Sequence, residues 1–136
     1  MSPALRWLSV EGVEAMHREL IARYGGSHGL RDAGLLASAV ARPIQMHNYE
    51  PKASIAQLAA SLGWGLAKNH AFLDGNKRIA LASIIVFLDL NGHELACSEA
   101  EETSVLLRVS ASEMTEAEWV QWMTKTVQAK QAADAP

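Results

Sequence analysis

His70-Ala71-Phe72-Leu73-Asp74-Gly75-Asn76-Lys77-Arg78 runs directly into Ile79-Ala80-Leu81-Ala82-Ser83-Ile84-Ile85-Val86-Phe87-Leu88, a polar loop joined to the most apolar run of the chain. That run is about half the length a membrane-spanning helix needs, and Asp89 ends it. It reads instead as a buried helix that opens near Asn76 and stops at Asn91-Gly92, where glycine supplies a left-handed helix end. Its residues are apolar nearly all round, so it is expected to be the central helix of the fold.

Working outward, Ser9 is an N-cap for a first helix from about Val10 to Tyr24, with Val13, Met16, Leu20, Ile21 and Tyr24 at helical spacing. Gly25-Gly26 stops it. Asp32 caps a second helix that runs toward Arg42 and is expected to break at Pro43. From Pro43 to Pro51 periodicity is lost, so a small β-hairpin flap at 43–53 is the one β element expected. Ser54 caps a longer helix striped with Ile55, Leu58, Ala59, Leu62 and Leu66, in which Gly63 and Gly65 weaken helix propensity but permit close packing. Ser98-x-x-Glu101 and Thr115-x-x-Glu118 have the form of capping boxes and open two more helices, the last burying Trp119, Trp122 and Met123. The fold class is therefore all-α, a bundle of about six helices, with one domain over 1–130 and a frayed tail at 131–136.

The 136 residues suit one domain, and 49% hydrophobic composition is enough to close one core. A formal charge of −3 argues against direct nucleic-acid binding, which needs a clustered cationic surplus. Cys97 is the single cysteine, so an internal disulfide and a thiolate metal cluster are both excluded. With no export signal at Met1–Trp7 and no membrane span, a cytoplasmic protein is expected.

The chemistry concentrates in the loop. Asp74-Gly75-Asn76 alone would be an ordinary turn and cap, Lys77-Arg78 alone a solvated face, and His70 alone a helix-end histidine; their combination is what calls for a site. Backbone N–H groups at a helix start favour anions, so a phosphate can dock on Gly75, Asn76 and the amides that follow, with Lys77 and Arg78 adding full charges. Asp74 is a hard oxygen ligand suited to Mg²⁺ shared with phosphate oxygens. His70 has the pKa range of a general base. Phe72 is expected to turn inward and fix the loop. His17, His28, His47 and His93 are expected at surfaces or helix ends, and the tryptophans as packing anchors.

The loop resembles the Fic-domain motif, His-x-Phe-x-acid-small-Asn-x-Arg, with every fixed position present in His70–Arg78. The resemblance to death-on-curing proteins of the Fic/Doc family extends over Arg23-Tyr24-Gly25-Gly26, Gly29-Leu30-Arg31-Asp32, Ala39–Pro43 and Phe87-Leu88-x-x-Asn91-Gly92. It implies a compact helical toxin of a type II toxin–antitoxin pair, using ATP and Mg²⁺ to modify a protein hydroxyl. Adenylylating members have glycine where this chain has Lys77, and a second arginine where it has Leu81. Lysine there accompanies transfer of the γ-phosphate, so the resemblance implies a Doc-like kinase acting on a Ser/Thr hydroxyl of a translation factor, elongation factor Tu. Gly75, where Doc-like members carry alanine, keeps AMP transfer as the alternative, and a catalytically inert binding module is a second alternative. A Phd-like antitoxin binding as a helical segment is implied as partner, since no inhibitory Ser/Thr-x-x-x-Glu-Gly/Asn helix is found in this chain. The 43–53 flap is implied to align the target, with Tyr49 as a candidate contact.

Overall fold

Among the described residues, five of the six helices begin at a side chain that accepts a backbone N–H three positions on. The computed structural model describes residues 4–131. Ser9 caps α1 (Val10–Tyr24), Asp32 caps α2 (Ala33–Tyr49), Ser54 caps α3 (Ile55–Asn69), Ser98 caps α5 (Glu99–Ser110) and Thr115 caps α6 (Glu116–Thr126). Such caps satisfy donors that a helix start leaves without partners. The exception is α4 (Asn76–Leu90), whose N-cap is Gly75 and which has no side-chain cap.

The expected helices are present, and the fold is all-α apart from one small sheet. Thr115 and Glu118 form the full capping box. Ser98 forms only its half, because the Glu101 carboxylate accepts the Trp122 Nε1–H at 3.0 Å instead of reaching back. Strands β1 (His93–Leu95) and β2 (Val127–Ala129) pair antiparallel, His93 opposite Ala129 and Leu95 opposite Val127. They clasp the end of α6 to the exit of α4, aided by a Lys130–Asp89 ion pair.

The hairpin expected at 43–53 does not form. Helix α2 runs through Pro43 to Tyr49. Proline inside a helix costs about 3 kcal/mol, and tertiary packing offsets it. Leu36, Ala39, Val40 and Pro43 are all buried, and α3 approaches so closely that a Cβ on Gly65 would lie 2.6 Å from Arg42 Cδ. The Arg42 guanidinium donates to the Ser61 carbonyl at 2.9 Å and pairs with Glu116, fastening the half of α2 around the proline.

The centre of the molecule is α3, not α4. Ten of its residues are buried, from Ala56 to Ala67, and it packs on α2, α4, α5 and α6. Its small Ala and Gly residues let neighbours approach from all sides. Helix α4 carries larger apolar side chains yet is one-sided: Ile79, Ala80, Ser83, Ile84, Phe87 and Leu88 face inward while Ile85 and Leu90 stay exposed. Trp119 is fully buried, its Nε1–H donating to the Ala60 carbonyl at 2.8 Å. Most of the tail expected to fray lies outside the described residues.

Candidate active site

The loop from His70 to Gly75 leaves α3 and enters α4 under control of the α1–α2 connection. His70 ends α3 in a left-handed conformation, φ 51° and ψ 51°, uncommon for a residue with a side chain. Arg31 holds it there: Nε donates to the His70 carbonyl at 2.7 Å and Nη2 to the Asn69 carbonyl at 3.2 Å. The Ala71 carbonyl accepts the Arg31 and Asp32 N–H groups, and the Leu73 N–H donates to Gly29, so residues 29–32 run as a short ladder against the motif. The His70 side chain itself is exposed and bonds to none of the described residues.

Phe72 is buried, as expected, and locks the loop. Its N–H donates to Asn76 Oδ1 at 3.0 Å and its carbonyl accepts from Asn76 Nδ2 at 2.9 Å. Asn76 therefore spends its side chain on loop geometry and offers only its backbone to an anion. The Phe72 ring stacks on His17, with centroids 3.8 Å apart and planes 11° from parallel.

His17 corrects an expectation. It is neither at the surface nor at a helix end but buried in the middle of α1, between Val13 and Ile21. Its Nε2 lies 2.7 Å from the Asp74 carbonyl oxygen. The spacing of Val13, His17 and Ile21, four apart on one face, was the signal that could have placed it inside. Tyr24, expected on that stripe, is instead 64% exposed, and its ring sits beside the Arg78 guanidinium, 5.7 Å from centroid to Cζ.

At the start of α4 the first intrahelical bond is Ile79 N–H to the Gly75 carbonyl, 2.9 Å. The N–H groups of Asn76, Lys77 and Arg78 thus lack intrahelical acceptors, and no side chain caps them. Gly75, at φ 74°, makes the left-handed entry. A groove of about 450 Å³ opens here, lined by Asp74, Gly75, Asn76, Lys77, Arg78 and Leu81 from the loop and α4 and by Thr103, Leu106 and Leu107 from α5. Arg78 Nη1 donates to the Gly25 carbonyl at 3.0 Å, which aims the guanidinium along the helix entrance.

Asp74 remains anionic in this setting. The Ser27 N–H at 3.1 Å and the Gly75 N–H at 2.8 Å both donate to its carboxylate. These bonds, the Ser27 one foremost, hold its carboxyl below the usual range, and the Arg78 charge adds to them. No group of three or more His, Cys, Asp or Glu side chains converges among the described residues, so a divalent cation at Asp74 would need ligands from outside the protein, such as water or phosphate oxygens.

Five of the residues named from sequence, Asp74 to Arg78, line one groove, and His70 stands exposed at the preceding helix end. Tyr49 is not in that groove. It is 90% exposed at the end of α2, on a separate depression with Arg42, Met46 and Ser61. The residues that sequence reasoning missed are His17, Ser27 and Arg31, each bonded to a motif position far along the chain.

An uncapped helix start, a carboxylate and two cations stand together on a loop braced by the preceding connection, the arrangement of a Fic-type motif. Residues 7–88, more than half of the chain, match the Fic/DOC family, and the chain belongs to that family. It is 45% identical over 74 residues to "Toxin Doc" of Mycolicibacterium smegmatis, covering 54% of this chain and 57% of that protein. It is 35% identical over 88 residues to "Protein kinase doc" of Escherichia phage P1, covering 65% of this chain and 70% of that one. The matched region thus spans a little over half the length of the first relative. No helix among the described residues is long and apolar enough to cross a membrane.

Proposed function

We propose that this chain is a Doc-like toxin that transfers the γ-phosphate of ATP to a Ser/Thr hydroxyl of a translation factor, elongation factor Tu, in the cytoplasm, and that a Phd-like antitoxin neutralises it. The observation that carries this is the bare start of α4, with three N–H groups without acceptors beside Lys77 and Arg78. A capped helix would have no use for that arrangement, and a triphosphate fits it in charge and direction. The relative named as a protein kinase supports phosphate as the group moved.

In this reading His70 accepts the proton of the target hydroxyl, whose oxygen forms a bond to the γ-phosphorus. The bond to the β–γ bridging oxygen breaks and ADP departs with that electron pair. The α4 amides, Lys77 and Arg78 hold the phosphate oxygens and take up charge as it develops. Asp74 is the side chain that would hold Mg²⁺, which would supply positive charge to offset that of the phosphates. Lys77 occupies volume beside the helix entrance and so favours a nucleotide seated with its γ-phosphate against the loop.

The test is to incubate the protein with elongation factor Tu, Mg²⁺ and ATP labelled in the α- or the γ-phosphate. Label from the γ-position, lost in His70→Ala, is the expected result. Label from the α-position would replace kinase by adenylyltransferase, and no label with either nucleotide would leave a binding module.

A further inference from the structure

Much of the loop is held by its own neighbours, but its inward anchor comes from α1. His17 is 2% exposed, its ring lies face to face with Phe72, and its Nε2 is 2.7 Å from the Asp74 carbonyl. We infer that His17 is a positioning residue for phosphate transfer, fixing the Asp74–Gly75 peptide so that the metal-binding carboxylate and the α4 amides face the groove. This rests on the transfer reading given above.

A carbonyl oxygen only accepts, so Nε2 carries the proton and donates. In a planar trans peptide the C=O and the N–H point in opposite directions. Drawing the Asp74 carbonyl inward onto His17 therefore turns the Gly75 N–H outward, where it meets Asp74 Oδ1 at 2.8 Å. The same ring touches both halves of the motif, because Phe72 is tied to Asn76 by two hydrogen bonds. One side chain thus sets the spacing between the segment that bears His70 and the segment that bears the anion-binding amides. Space is reserved for this contact: a Cβ on Gly75 would lie 3.5 Å from His17 Nε2 and 3.1 Å from Ile21 Cδ1. An aliphatic residue would fill the volume without a buried polar atom to satisfy, whereas the buried His17 ring directs its N–H onto a carbonyl of the motif.

Three proteins test the inference: wild type, His17→Phe, which keeps a ring on Phe72 but has no donor, and His17→Gln, which restores a donor. Turnover of γ-labelled ATP onto the same acceptor, the thermal midpoint and backbone amide order at Asp74–Asn76 by NMR relaxation are measured for each. His17→Phe is expected to stay folded, lose about ten- to a hundredfold in kcat and show a more mobile Gly75 amide, as misplacement of a reacting group does. His17→Gln is expected to recover most of both. Unchanged turnover and loop order in a folded His17→Phe, or a His17→Gln no better than it, overturns the inference. Should phenylalanine prevent folding, His17→Met serves as the variant without a donor and is read the same way. A wild-type protein that transfers no phosphate counts against the transfer reading alone, and the order of the Gly75 amide then decides the role of His17 by itself.

Discussion

Arg31 shows what a single residue contributes to this site and why sequence alone hides it. It is exposed, on a connection between helices, and its guanidinium closes the end of α3 by binding the carbonyls of Asn69 and His70. Positions 38 and 39 apart in sequence meet there, so nothing in local spacing announces the contact. The contiguous motif was legible because Asp74 to Arg78 carry their chemistry in consecutive residues. His17 and Ser27 escaped notice for the same reason as Arg31: their partners are made by the fold. Removing the Arg31 fork frees a left-handed histidine that costs roughly 1–2 kcal/mol to hold, and the exposed bonds themselves add little to global stability. Arg31→Ala is therefore expected to keep its thermal midpoint within a few degrees while the proposed phosphate transfer falls about tenfold, as loosening His70 in the proposed role of base would cause. A variant that melts early and transfers normally would assign Arg31 to the fold instead.

At the scale of elements, local signals and tertiary ones part company. Helix starts were readable from Ser9, Asp32, Ser54, Ser98 and Thr115, because a cap bonds to residues two or three positions away. The passage of α2 through Pro43 was not, since what holds it is Gly65, Ser61 and Glu116 on other helices. Side-chain size misdirected the choice of centre: the large apolar residues of α4 point to it, whereas smallness makes α3 the helix that others can surround. Gly63 expresses this most sharply. A Cβ there would lie 2.3 Å from Ile84 Cδ1 and 3.2 Å from Trp119 Cζ2. Gly63→Ala gains about 1 kcal/mol of helix propensity, but overpacking a buried contact costs about 1–3 kcal/mol. Net destabilisation of up to about 2 kcal/mol is expected in urea unfolding, with α4 displaced outward. A stabilised variant would mean that α3 and α4 have slack the described packing does not contain.

For the whole molecule the sign of the pH dependence follows from which carboxyls the fold prefers ionised. Asp74 is held below its ordinary value by the Ser27 and Gly75 amides, and Glu118 by the Thr115 amide and hydroxyl. Each lies at the start of a helix, where the dipole also favours negative charge. In both cases the unfolded chain binds the proton more tightly than the folded one. Between the folded and unfolded values the unfolded state carries more protons, so stability rises with pH there. The contribution is complete above the usual carboxylate range and is lost as pH falls through it toward the depressed folded values. Because both groups are solvent-exposed, the effect is modest and weakened by salt. The expected outcome is that the urea midpoint of the wild type declines on going from about pH 6 to pH 3, and that Asp74→Asn with Glu118→Gln flattens part of that decline while starting lower at pH 6. A double variant with the wild-type slope would mean that neither amide-bound carboxylate is linked to folding, and that acid sensitivity arises elsewhere among the acidic residues.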